Sequence, residues 1–189
     1  MNFNRPIILA SKSPRRQQLL KDAGFTFEVI TKEVDESFPE DIPAKDVAAY
    51  LSRKKADAFN EMLDDKILIT ADTVVKVDNE ILNKPADFNE AFEMLSKLSN
   101  RNHEVITGFT LKSAEKQFTY SDTTIVYFKD LSNEEIEFYI NNYKPFDKAG
   151  AYGIQEWIGM IGITKIEGSY FNVVGLPIQL VYKKLKSNF

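Results

Sequence analysis

The sequence predicts an α/β fold: a mixed, twisted sheet flanked by helices. Two observations lead there. Short strand-like apolar runs alternate with amphipathic segments through the first half of the chain, the order expected of β–α units. In the second half two long strand-like stretches, 103–111 and 117–128, follow one another directly, so they pair as an antiparallel hairpin and argue against a purely parallel sheet. No internal repeat, low-complexity tract or Gly/Ser linker divides the 189 residues, which are read as a single domain, 1–189.

The elements follow in order. Residues 7–10 form a short apolar strand. Ser13 is placed to cap a helix, Pro14 suits its first position, Leu19, Leu20 and Ala23 form its buried stripe, and Gly24 ends it. A strand near 27–31, a helix from about Pro43 to Met62 and an apolar strand over 67–75 come next, with a hairpin turn at Asp78-Asn79. Asp87 caps a further helix with Glu90 as its capping-box partner, and Ser132 with Glu135 opens another. Pro177 begins the last.

Composition narrows the chemistry. The chain has no cysteine, which excludes disulfides, thiolate nucleophiles, zinc–thiolate centres and iron–sulfur clusters. His103 is the only histidine, so any metal would be held by carboxylates, favouring a hard divalent cation such as Mg2+ or Mn2+. With no serine–glycine elbow nearby, His103 itself reads as structural. A formal charge of −4 argues against a nucleic-acid partner, so phosphate would be met by locally placed Lys and Arg. The opening apolar run, 7–10, is too short for a signal segment or a membrane span, which predicts a cytoplasmic protein without a membrane partner.

Several segments carry chemistry. In Ser11-Lys12-Ser13-Pro14-Arg15-Arg16, two arginines stand in the first turn of a helix, where the macrodipole and free amides disfavour cations. Either both point into water, or an anion lies between them, gripped by hydroxyls, amides and guanidinium forks. Asp72 interrupts an otherwise apolar strand; burying it unpaired is costly, so it pairs with a cation or reaches a cleft, as general base or metal ligand, unless it merely caps a turn. Lys55 shares a helix face with Val47, Leu51 and Phe59, where it wants a negative partner or must snorkel outward. Lys84, ahead of Pro85, has an extended backbone. Glu33, Asp35 and Glu36 suit a divalent cation if they fold toward Asp72, and otherwise form a solvated acidic loop. Residues 147–155, with Lys148, Gly150, Gly153 and Gln155, read as a tight loop approaching a ligand or as a plain turn.

Together these residues resemble the Maf family of nucleoside triphosphate pyrophosphatases over nearly the whole chain. The resemblance is carried, in order, by Leu9-Ala10-Ser11-Lys12-Ser13-Pro14-Arg15-Arg16, Val34-Asp35-Glu36, Lys54-Lys55-Ala56, Ala71-Asp72-Thr73-Val74-Val75, Lys84-Pro85, residues 147–155, Gly168-Ser169-Tyr170 and Asn172-Val173-Val174-Gly175-Leu176-Pro177. It implies a Maf/ITPase-like α/β fold of two lobes with a central cleft. It also implies metal-assisted hydrolysis of a nucleoside triphosphate to the monophosphate and pyrophosphate, with Asp72 as proton acceptor. Arg15, Arg16, Lys55 and Lys84 would hold phosphates, with Ser11, Ser13 and Lys148 beside them, and Glu36 would join Asp72 at the metal. Arg15, Thr73 and Gln155 fall at positions associated with substrate choice.

The Asp72-Thr73 pair and the Gly153-Ile154-Gln155 segment look like the subgroup acting on dTTP and UTP. An N7-methyl-GTP pyrophosphatase and a non-catalytic nucleotide-binding regulator of cell division are the alternatives, and the family allows a homodimer. Two places depart from the family pattern: Glu156-Trp157 and Asn100 stand where glycine is usual, which bears on substrate preference and leaves the phosphate-binding residues untouched.

Overall fold

The structure, a computed structural model, describes residues 5–59 and 63–189. Seven strands form one sheet in the order β2-β1-β3-β5-β6-β7, with β4 pairing a second stretch of β3. In chain order these are β1 (Ile7–Leu9), β2 (Phe27–Val29), β3 (Ile67–Val77), β4 (Glu80–Leu82), β5 (Asn102–Lys112), β6 (Gln117–Phe128) and β7 (Ile163–Glu167). The helices are α1 (Pro14–Asp22), α2 (Val47–Asp57), α3 (Phe88–Leu98), α4 (Asn133–Tyr143), α5 (Trp157–Gly162), α6 (Tyr170–Val174) and α7 (Ile178–Asn188). β1 runs parallel to β2 and β3, while β4 is antiparallel to β3 and β7 to β6. The sheet is therefore mixed, as the sequence predicts. The two-residue turn at Asp78-Asn79 forms with Asp78 at φ 52, and the β5–β6 hairpin is closed by Ser113 N–H donating to Lys116 O at 2.8 Å.

The chain divides into two compact units, in keeping with the two lobes the resemblance implies. The first comprises the chain through Thr73, residues 107–122 and residues 175–189. Its strands β1 and β3 are buried on both faces, which is why they read as continuous apolar runs. Successive side chains alternate: Ile7, Leu9, Ile67 and Ile69 join Leu20 of α1 and Val181 and Leu185 of α7 on one face. Ile8 and Leu68 join Ala56 of α2, Phe59 and Leu63 on the other.

Gly108 on β5 makes this second packing possible. A methyl group there would stand 2.3 Å from the carbonyl carbon of Ala48 and the nitrogen of Ala49, so the α2 backbone lies directly on the strand. α1 is built as its sequence predicts: the Ser13 hydroxyl accepts the Arg16 N–H, Pro14 opens the helix, and Gly24 ends it at φ 78.

The second unit comprises residues 74–106 and 123–174. Its core joins Val75 and Val77 of β3, Leu95 and Leu98 of α3, Phe128 of β6 and Tyr139 and Ile140 of α4. Asp87 caps α3 by accepting the Glu90 N–H at 3.0 Å, and the Glu90 carboxylate accepts the Ala86 N–H, one residue before the cap. At α4 the Ser132–Glu135 capping box is complete.

Three expectations change. The helix from Pro43 begins as a 3-10 turn, Ala44–Asp46, because Pro43 is extended and Asp46 offers no side-chain cap; its expected end at Met62 falls outside the described residues. The strand near 27–31 is shorter, and β3 runs two residues further, to Val77. α5, β7 and α6, only five or six residues each, have no counterpart in the sequence reading because periodicity needs longer runs to register.

Candidate functional site

The alternation along β3 sorts the chemistry-bearing residues onto two faces. Leu68, Thr70 and Asp72 point toward α2, while Ile69, Ala71 and Thr73 point toward the α1 side. On the α2 face the Thr70 hydroxyl donates to the Ser52 carbonyl at 2.6 Å, tying strand to helix. One helical turn further along α2, Lys55 Nζ donates to Asp72 Oδ1 at 2.6 Å. The same ammonium lies 2.8 Å from Glu36 Oε1. Lys55 and Asp72 side chains keep only 17% and 12% of their exposure, so each answers the charge of the other where water does so poorly. This is the negative partner that the apolar stripe on α2 demands.

Of the acidic segment before α2, exposed Glu36 pairs with Lys55, while Asp35 accepts from Lys54 Nζ at 3.0 Å and from the Ser37 N–H at 3.0 Å.

On the other face Arg16 is half-buried. Its Nε donates to Gly175 O at 2.8 Å, Nη1 to Ala71 O at 2.9 Å and Ser11 Oγ at 3.4 Å, and Nη2 to Thr73 Oγ1 at 3.0 Å. The Thr73 and Thr107 hydroxyls lie 2.9 Å apart. Burial pulls the Arg16 pKa down and the nearby Asp72 charge pulls it up; an arginine stays a cation under that balance. The conflict of a cation at a helix start is thus resolved for Arg16 by turning its fork onto strand carbonyls. Arg15 is half-buried and adds its charge to that of Arg16. Ser11 is buried, and its hydroxyl also accepts the Ser13 N–H at 3.3 Å. The first unit therefore brings together Ser11, Ser13, Arg16 and Thr73 as one hydrogen-bonded group and Glu36, Lys55 and Asp72 as another, joined through the adjacent residues Asp72 and Thr73.

In the second unit Lys84 lies on the exposed segment after β4, and its neighbour Asn83 accepts the Gly150 N–H at 3.1 Å, so that segment lies against the 147–155 loop. Gly150 adopts φ 68 with the Val75 side chain about its Cα, a position only glycine fills without strain. Lys148 is buried, with Nζ 2.7 Å from Asp147 Oδ1 and 3.2 Å from Glu156 Oε1. Glu156 Oε2 accepts the Tyr139 hydroxyl, and the same hydroxyl oxygen accepts the Gly153 N–H at 3.0 Å. Burial and the Glu156 carboxylate push the Tyr139 phenol well above its ordinary range, so it remains a donor.

Gln155 is exposed. Trp157 is half-buried, its ring 4.7 Å from that of Phe138. Sequence reasoning missed the Tyr139–Glu156 tie; its one signal was Glu156 departing from glycine. His103 is structural, as expected: it is buried, its Nε2 lies 2.7 Å from the Tyr152 hydroxyl, and burial pushes its pKa down to about 3.

Glu36 and Asp72 offer the carboxylate oxygens that a hard divalent cation takes, and here both meet the Lys55 ammonium. Among the described residues no group of three or more His, Asp or Glu gathers to hold a metal alone, so such an ion would complete its shell with water and ligand oxygens. Among the same residues no helix is long and apolar enough to cross a membrane.

Comparison with known proteins places this geometry in context. The protein-family model described as "Maf-like protein" matches residues 6–188. A Flavobacterium psychrophilum protein named dTTP/UTP pyrophosphatase is 53% identical over 180 residues, covering 95% of this chain and 92% of that protein. A Cytophaga hutchinsonii protein of the same name is 50% identical over 186 residues, covering 98% and 85%. Among solved structures, the Staphylococcus aureus Ham1 protein shares the fold, with a TM-score of 0.53 at 16% identity, over 98% of this chain and 100% of that one.

Proposed function

The chain belongs to the Maf family, and on that premise we propose that it hydrolyses nucleoside triphosphates, dTTP and UTP foremost, to the monophosphate and pyrophosphate. The observation that carries this reading is the convergence of Glu36 and Asp72 on Lys55, in a chain about half identical to proteins named for that reaction. The match over residues 6–188 supports treating the chain as one Maf-like domain.

Phosphoryl chemistry of this kind rests on positioning and electrostatics. Asp72 takes the proton from a water whose oxygen bonds to the α-phosphorus, and the bond to the bridging oxygen breaks to release pyrophosphate. Lys55, fixed against Asp72, orients the carboxylate and supplies positive charge. A divalent cation, Mg2+ or Mn2+, held by Glu36 and Asp72, would supply neutralisation of the triphosphate.

In the first unit Arg15 and the hydroxyls of Ser11 and Ser13 are read as phosphate contacts, with Arg16 holding their turn against β3. Thr73, tied to Arg16, is read as a residue of substrate choice. In the second unit Lys84 is read as a phosphate contact and Gln155 as the substrate-binding residue of the 147–155 loop, with Lys148, expected beside the substrate, read as holding that loop in place.

Incubating the purified protein with Mg2+ and a panel of canonical and N7-methylated nucleoside triphosphates, and following pyrophosphate, tests the proposal. Release is expected with dTTP and UTP. No release from any nucleotide overturns the enzymatic reading, and release from N7-methyl-GTP alone overturns the pyrimidine assignment.

A further inference from the structure

The 147–156 loop is tied more tightly than a ligand-gripping loop requires. Lys148, 8% exposed at its side chain, is held by both Asp147 and Glu156. Glu156 accepts the Tyr139 hydroxyl, which accepts in turn the Gly153 N–H at 3.0 Å. The Glu156 N–H returns to Gly153 O at 3.0 Å, closing the turn on itself. Gly153 leaves no slack: a methyl group there would lie 2.9 Å from Glu156 Cδ and 3.1 Å from Lys148 Cε. Between buried Ile154 and the anchored Glu156, Gln155 alone projects outward.

Charge decides which part of a nucleotide this loop meets. One ammonium faces two carboxylates, Asp147 and Glu156, so the loop holds no surplus positive charge for a triphosphate. What it presents is the neutral amide of Gln155, an acceptor and two donors suited to the edge of a base. We propose that Glu156, backed by Tyr139 and Lys148, is a positioning residue that fixes the turn at Gly153 and thereby sets how Gln155 meets the nucleobase. This inference rests on the nucleotide reading above.

The test separates base from phosphate. Tyr139→Phe removes only the hydroxyl, and Glu156→Gln removes the charge holding Lys148. For each, KM and kcat with UTP are measured beside inhibition by inorganic tripolyphosphate, which carries the charge and no base. The expected result is a rise of about tenfold in the UTP KM, kcat and tripolyphosphate inhibition held within about twofold, and the same pattern for Gln155→Ala. Because Glu156 acts through Gln155, the Gln155→Ala, Glu156→Gln double variant is expected to be no worse than the poorer single one.

Unchanged UTP KM, parallel loss of UTP and tripolyphosphate binding, or additive effects in the double variant would overturn the inference. A wild-type protein that turns over no nucleotide overturns the nucleotide reading itself and this inference with it. Active wild type with indifferent variants overturns the inference alone.

Discussion

Lys55 Nζ meets Asp72 Oδ1 at 2.6 Å, a lysine from the apolar stripe of α2 against a carboxylate from the buried strand β3. Neither residue fits its own element without the other. The helix tolerates the lysine because the strand supplies an anion, and the strand tolerates the aspartate because the helix supplies a cation.

Removing one partner strands the other. Lys55→Met is expected to destabilise the fold by about 2 kcal/mol, less than the roughly 3–5 kcal/mol of a fully buried pair because both side chains keep some contact with water. The Lys55→Met, Asp72→Asn double variant is expected to regain part of that loss, since the less exposed of the two carboxylates on Lys55 is then neutral. Urea denaturation of the wild type and these two variants checks both; a double variant no more stable than Lys55→Met contradicts the pairing argument.

Arg16 serves Gly175, Ala71, Ser11 and Thr73 with one planar fork, and a lysine cannot reach these acceptors together. Arg16→Lys is expected to cost roughly 2–3 kcal/mol in stability, as buried carbonyl and hydroxyl groups lose donors. Thermal melting reads this out, and a melting temperature equal to that of the wild type would show that these bonds contribute nothing.

Gly108→Ala places a methyl group 2.3 Å from the Ala48–Ala49 backbone. α2 must then move off β5, carrying Lys55 away from Asp72. Stability is expected to drop by about 2 kcal/mol or more, with activity falling alongside it. A fully active, fully stable variant would mean that the helix shifts without moving Lys55.

His103 gives the fold a pH signature. Folded, its imidazole stays neutral down to about pH 3; unfolded, it takes a proton at its ordinary value of 6.5. Between those values the unfolded chain binds the additional proton, so this contribution to stability is intact above pH 6.5 and lost as the pH falls through the window. The slope is about 1.4 kcal/mol per pH unit within it. Denaturation of wild type and His103→Gln at pH 7 and pH 5 checks the effect: the variant is expected to have the shallower dependence, whatever its absolute stability.

Much of this was legible in the chain because each signal was a local contradiction. A carboxylate inside an apolar run and a lysine on an apolar helix face announce that each needs a partner, and the i, i+4 spacing of Val47, Leu51, Lys55 and Phe59 fixes the face. Arg15 and Arg16 announce themselves together, but spacing alone does not say which turns back to β3. That depends on the carbonyls of Ala71 and Gly175, far along the chain.

The Tyr139–Glu156 tie gave less. Tyr139 reads as an ordinary core aromatic of α4, and its hydroxyl acquires a role only when the fold brings a carboxylate 17 residues away against it. α5, β7 and α6 were hidden for a simpler reason: segments this short take their conformation from packing and not from any periodicity of their own.

Asp72 is proposed to serve cleavage at the α-phosphorus. The most direct measurement quantifies both products formed from UTP and Mg2+ by wild type and Asp72→Asn, with circular dichroism confirming the fold of each. The wild type is expected to yield one pyrophosphate per UMP, and turnover in the variant is expected to be lower by on the order of 100-fold. UDP with orthophosphate as products, or a folded variant that turns over like the wild type, would contradict it.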